Sequence, residues 1–218
     1  MSYTIELSPD ELLTTTRAVR RRLDFDRPVQ TKTIMECIEI AVQAPTGSNR
    51  QGWHWLVITD VDQRALIAAF YRAAFEEYRQ AGDHGSGLFA TDGGQTPAQS
   101  GIAASVEYLA DNLHRVPVLT IACITAPGSA VLPDHEQASM WGSLFPAVWN
   151  YMLAARARGL ATVWTDLHLR YEREVADILG IPDGVRQGAL IPTAYYTGKD
   201  FRPAPRAPID EVVHINRW

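Results

Sequence analysis

The C-terminal segment, residues 201–218, limits the fold more than any other part of this 218-residue chain. It opens with Phe201-Arg202-Pro203-Ala204-Pro205-Arg206-Ala207-Pro208, in which closely spaced prolines remove backbone donors and forbid a helix. It then runs into Val212-Val213-His214-Ile215 and ends on Trp218. A β-branched run of this kind reads as a short strand. A strand at the very end of a chain must join a sheet edge, either of its own domain or of a second copy.

The rest of the chain alternates helical periodicity with short apolar runs. Ser8-Pro9-Asp10-Glu11 is a capping box with proline in the first turn, and predicts a helix running to about Leu23. Thr31 to Ala44 carries Ile34, Ile38, Ala41 and Val42 on one face and is stopped by Pro45. His54 to Thr59 reads as a buried strand, and Asp60 with Gln63 caps a helix to about Gln80. Helices are also expected over Ser100–Leu113, Ser139–Arg158 (kinked or broken at Pro146) and Arg170–Leu179, with strands at Val118–Thr125, Ala161–Thr165 and Ala189–Tyr195. The glycine-rich residues 82–101 have no apolar period and read as a lid or flexible loop. Separated strands among many helices in one uninterrupted domain, residues 1–218, indicate an α+β layered fold.

Composition narrows the function. A net charge of −5 and a pI near 5.7 argue against a nucleic-acid binder. No apolar run approaches the ~20 residues that span a bilayer, so no membrane partner is expected. Met1 to Glu11 carries acids before any apolar stretch, unlike a secretory leader. Cys37 and Cys123 sit far apart in apolar segments and read as reduced core thiols of a cytoplasmic protein. The sequence has no metal-ligand spacing, no Walker A loop, no GxSxG elbow and no dinucleotide fingerprint, so redox chemistry would need an organic cofactor held in another way.

Three groups of residues carry chemistry. Arg17, Arg20 and Arg21 are spaced i, i+3 and i+4, which on a helix places them on one face, where a bound phosphate would offset their repulsion. Taken alone, that cluster is more simply a solvated basic face paired with Asp24 and Asp26. Ala44-Pro45-Thr46-Gly47-Ser48-Asn49-Arg50-Gln51 offers hydroxyls, bare backbone and amides between a helix and a strand, and alone is an ordinary turn. Arg206, held between Pro205 and Ala207-Pro208, is either an ordered anion ligand or a residue of a loose tail.

In order along the chain, these pieces resemble the nitroreductase family. Thr16-Arg17-Ala18-Val19-Arg20-Arg21 is similar to its opening arginine-rich motif. Ala44 to Trp53 resembles its Ala-Pro-Ser-x-x-Asn-x-Gln-Pro-Trp segment. Ala154 to Thr162, Leu179-Gly180-Ile181-Pro182, Pro205 to Pro208 and Val212 to Trp218 continue the resemblance over nearly the whole chain. It implies a three-layer fold with a central, mostly antiparallel sheet between helices, and a C-terminal strand exchanged in a homodimer. It implies FMN as cofactor and NADH or NADPH as electron donor. Arg17, Ala18, Val19, Arg21 and Arg206 would hold the phosphate and pyrimidine side of the flavin. Pro45, Thr46, Gly47, Ser48 and Asn49 would come from the partner subunit, and Thr165, Asp166 and Leu167 would bring backbone toward flavin N5.

The residues depart from the family pattern in places. Ala18 and Val19 replace a commonly polar pair, leaving only backbone contacts there. Gly52 stands where proline is common, and Asp166 where glycine is frequent. The resemblance implies ping-pong transfer of hydride from the nicotinamide to a small-molecule acceptor such as a quinone or nitro compound, with no essential protein acid or base. Trp141, Phe145 and Trp164 are candidates for the walls of the substrate pocket, although each residue type is more often plain core. Two alternatives stay open at this level: a flavoenzyme of the same fold with other chemistry (dehalogenation, azoline oxidation or a deazaflavin-linked reaction), and a flavin-binding carrier or regulatory module without turnover.

Overall fold

The computed structural model describes residues 4–81, 97–126, 132–199 and 201–218. The elements run in the order α1 (Pro9–Thr15), β1 (Leu23–Asp24), α2 (Thr31–Ala41), β2 (Trp53–Ile58), α3 (Val61–Gln80), α4 (Pro97–Asn112), β3 (Val118–Thr125), α5 (Asp134–Ala157), β4 (Leu160–Thr162), α6 (Glu172–Leu179) and β5 (Val185–Tyr196). The sheet order is β1-β5-β3-β2, with β4 also on β5, and every named strand pair is antiparallel. A single parallel bridge joins Ala18 to Thr162.

Alternation along β3 makes the layers. Leu119, Ile121 and Cys123 face a core that includes Ile67, Tyr71 and Phe75 of α3, Leu109 of α4 and Val175 of α6. Val118, Ala122 and Ile124 face the opposite core, with Ile34 and Cys37 of α2 and Leu144, Val148, Tyr151 and Ala155 of α5. A strand buried on both faces reads as a continuous apolar run rather than an alternating one, which is why Val118–Thr125 stands out in the sequence. The result is the expected α+β sandwich of helices around a mostly antiparallel sheet. Both cysteines are free and buried, and burial pushes each thiol up to about 12.

Several expectations are corrected. α1 stops at Thr15, well short of Leu23, because three consecutive threonines turn their hydroxyls back onto helix carbonyls: Thr14 to Asp10, Thr15 to Glu11 and Thr16 to Leu12. Such back-bonding by β-branched residues weakens a helix end, and Thr16 is already extended. Arg17, Arg20 and Arg21 therefore do not share a helix face. α5 is not broken at Pro146 but continues from Asp134 to Ala157, with Leu144, Ala147 and Val148 buried on either side of the proline. Residues 97–101 of the expected lid form the start of α4, and residues 82–96 lie outside the described part of the chain. Residues 201–218 form no strand within this single chain. Ile209–Glu211 makes one 3-10 turn, and Ile209, Val212, Val213, Ile215 and Trp218 are exposed.

Candidate functional site

The arginine segment packs along the sheet instead of a helix. Val19 donates its backbone N–H to the Thr162 carbonyl at 3.0 Å and buries its side chain in the α3-side core. Its amide is thus already committed. The flanking residues open a cleft of about 390 Å³ lined by Arg17, Ala18, Val19, Arg20, Arg21 and Arg22, by Ser105 of α4, and by Phe201 and Arg202 just beyond β5. Arg17 reaches the Arg202 carbonyl at 3.0 Å, and Arg22 donates to the Thr197 carbonyl at 2.7 Å. The guanidinium carbons of Arg22 and Arg156 lie 4.5 and 4.2 Å from the centre of the Phe201 ring. These cation–π contacts fix the exit of β5 beside the cleft.

Arg20 is held deeper. Burial pulls its pKa down from the usual range, and the nearby Tyr71 opposes that shift. Tyr71 is itself 1% exposed and shares a 2.9 Å hydrogen bond with the hydroxyl of Thr165. Burial pushes the Tyr71 pKa up, while Thr165 and Arg20 pull it back. Thr165 exchanges two backbone hydrogen bonds with Leu190, at 3.0 and 2.9 Å. The Thr165-Asp166-Leu167 backbone is therefore fixed from three directions, with Asp166 exposed and Leu167 opening a 3-10 turn. Sequence reasoning found Thr165 but missed Tyr71 as the link between it and Arg20, because helix α3 and the arginine segment meet only through the tertiary fold.

The second segment lies elsewhere. Gly47–Asn49 is a 3-10 turn in which Ser48 and Asn49 both adopt positive φ. Ser143 of α5 accepts the Gly47 N–H at 3.0 Å, and Thr46 accepts the Gln51 N–H at 3.1 Å. Thr46, Gly47 and Ser48 help line a second cavity of about 660 Å³, with Arg50, Thr125, His135 and Ser139 among its other walls. The two cavities share no lining residue. Pro45 is exposed and lines neither cavity. Arg206 also lines neither, and among the described residues its guanidinium bonds only the Pro205 carbonyl. Within one chain, the predicted cofactor residues are thus separated into an arginine cleft, the Thr165-Asp166-Leu167 backbone beside Tyr71, a turn against α5 and an exposed tail arginine.

The three aromatic candidates do meet. Trp141 and Phe145 stack at 5.5 Å, and Phe145 meets Trp164 edge-on at 5.0 Å. They rest on a feature the sequence does not announce. The β3–β5 register passes from Ala122↔Ala189 to Cys123↔Gln187, so Gly188 is the extra residue of a bulge. A Cβ there would lie 2.4 Å from Leu144 and 3.0 Å from Trp141. Gly188→Ala is expected to displace the aromatic cluster and to cost about 1–3 kcal/mol. Unfolding titrations together with tryptophan fluorescence check this, and an unchanged emission spectrum with unchanged stability would contradict it.

The sequence profile of the nitroreductase family matches residues 13–195, from within α1 to the penultimate residue of β5. The chain belongs to the nitroreductase family. A protein of Archaeoglobus fulgidus with the provisional name NADH dehydrogenase/NAD(P)H nitroreductase is 24% identical over 212 residues, covering 95% of this chain and 97% of its own. Among solved structures, a variant of an FMN- and NADPH-dependent nitroreductase from Sphigopyxis sp. strain HMH superposes with a TM-score of 0.70 at 22% identity, covering 97% of this chain and all of the other. An iodotyrosine deiodinase bound to FMN and 3-iodo-L-tyrosine superposes at 0.64 and 20% identity, covering 96% and 98%. At these identities the likeness establishes the fold that the family shares. Among the described residues no helix is long and apolar enough to cross a membrane.

Proposed function

We propose that this chain is an FMN-dependent oxidoreductase that accepts hydride from NADH or NADPH and passes it to a quinone or nitroaromatic acceptor. The observation that carries the reading is the cleft beside Arg17 and Arg21, walled by guanidiniums and, among the described residues, by no carboxylate. A phosphate monoester, with a charge of about −1.5 to −2, fits such a donor set, because guanidinium pairs bidentately with phosphate oxygens. The bound flavin would supply reversible hydride acceptance. Arg17 and Arg21 would anchor its phosphate, and the fixed Thr165-Asp166-Leu167 backbone would orient its ring. Trp141, Phe145 and Trp164 would exclude water from the open face. Donor and acceptor would use that face in turn, giving parallel double-reciprocal lines.

Anaerobic mixing tests the reading. NADH or NADPH should bleach the flavin of the purified protein, an acceptor should restore it, and heat should release FMN. Arg17→Ala should weaken FMN binding roughly tenfold to hundredfold, the value of a charge-assisted contact. FAD in place of FMN, or a flavin that no nicotinamide reduces, would overturn the proposal, the latter in favour of a carrier or a deazaflavin-linked reaction.

We further propose a homodimer in which Pro45–Asn49 of one subunit and Arg206 complete the partner's site. The separation of these residues from the arginine cleft in a single chain supports it, as does the exposed apolar tail. Deleting residues 209–218 should lower both dimer content and flavin occupancy in sedimentation. A truncated monomer with full FMN would refute the exchange.

A further inference from the structure

The arginine cleft holds more positive charge than one phosphate answers. Arg17, Arg20, Arg21, Arg22 and Arg202 all line it, in a chain whose net charge is −5. Arg22 is stacked on Phe201 and bonded to Thr197, and Arg17 spends one N–H on Arg202. The side chains of Arg20, Arg21 and Arg202 make no hydrogen bond or ion pair with a described residue. Arg20 matters most, because burial already disfavours its charged form. A partly desolvated guanidinium without a partner is costly, and only an anion offsets that cost. Leaving Arg22 aside, one phosphate monoester near −2 leaves Arg17, Arg20, Arg21 and Arg202 about two charges in excess.

We propose that the cleft holds a second phosphoryl group beside the cofactor's own, gripped by Arg20 and Arg202. This rests on the FMN reading above, which assigns the first phosphate to Arg17 and Arg21. The second group has two chemical sources: the 2′-phosphate of a nicotinamide donor, which would make the protein select NADPH over NADH, or free inorganic phosphate acting as an effector. The cleft's volume of about 390 Å³ leaves room for more than a single phosphate.

The test uses the FMN-loaded full-length protein and calorimetric titration, without turnover. The ligands are 2′-phospho-ADP-ribose, ADP-ribose and inorganic phosphate. If the donor is the source, the 2′-phosphorylated compound binds at least tenfold tighter than ADP-ribose. If free phosphate is the source, it binds the loaded protein at one per chain and the two ADP-ribose compounds do not differ. In either case Arg20→Gln and Arg202→Gln each lower the affinity about tenfold, with a weaker salt dependence, while Arg20→Lys restores part of it. Equal binding of the two ADP-ribose compounds together with no phosphate binding would overturn the inference, as would full affinity in both Gln variants. Should the protein take up no FMN, the cofactor reading falls, and the same titrations on the flavin-free protein still decide the second site.

Discussion

Replacing Arg64 with methionine is expected to destabilise the fold by about 3 kcal/mol, because it strands buried carbonyl acceptors at about 1–3 kcal/mol apiece. Arg64 lies on α3 and is 9% exposed. Its guanidinium donates to the carbonyls of Thr59, His114 and Val116, at 3.3, 3.0 and 2.5 Å. It meets three carbonyls and no carboxylate. The side chain therefore ties the start of α3 to the turn that feeds β3. Methionine keeps the apolar stem but leaves three carbonyls without that donor, and an unpaired buried acceptor costs about 1–3 kcal/mol. Lysine should recover a fraction only, since one ammonium cannot serve three diverging carbonyls. Urea midpoints of the two variants decide the matter. A loss below about 1 kcal/mol for the methionine variant would show that water replaces the guanidinium.

The second large effect concerns acid. His168 is fully buried, neither ring nitrogen has a hydrogen-bond partner among the described residues, and burial pulls its pKa down to about 3. In the unfolded chain an ordinary histidine binds its proton near 6.5. Between those values the unfolded state binds a proton that the folded state refuses. Stability is therefore complete above about pH 6.5 and falls as pH drops toward 3. At pH 4.5 the loss amounts to about 3 kcal/mol, from two units at roughly 1.4 kcal/mol each. His168→Leu removes this titration, so its stability relative to the parent should rise by about that amount between pH 7 and pH 4.5, whatever its offset at neutrality. A difference between the two proteins that stays constant with pH would mean that His168 is solvated or paired.

Neither residue is legible in the sequence. Arg64 reads as one of several polar residues on a helix, and His168 as a histidine without a metal-ligand spacing. Their roles arise where distant segments meet. The strands and most helices were legible because periodicity and buried β-branched runs are local signals. The arginine segment misled for an equally local reason. Spacing of i, i+3 and i+4 imitates a helix face, while the deciding signal was the threonine run before it. Gly188 was missed because a bulge is defined by its partner strand, and the strand was expected to begin one residue later. The order of the family's motifs conveyed what no single residue did, namely membership of the nitroreductase family. The separation of the Pro45 turn from the Arg17 segment within a single chain follows from the fold, because α5 holds one and the β4–β5 edge holds the other.

The clamp of Arg22 and Arg156 on Phe201 gives the tail a fixed origin. Beyond that point the remaining 17 positions to Trp218 can reach at most about 55 Å when extended. Pro203, Pro205 and Pro208 restrict the backbone of its first part. Anchored in this way, the tail has a defined maximal reach from the domain. In the homodimer proposed above, docking of one tail on its partner would make the reciprocal docking intramolecular, at an effective concentration set by that reach. Shortening the proline segment should therefore weaken reciprocal capture even when every contacting residue is retained.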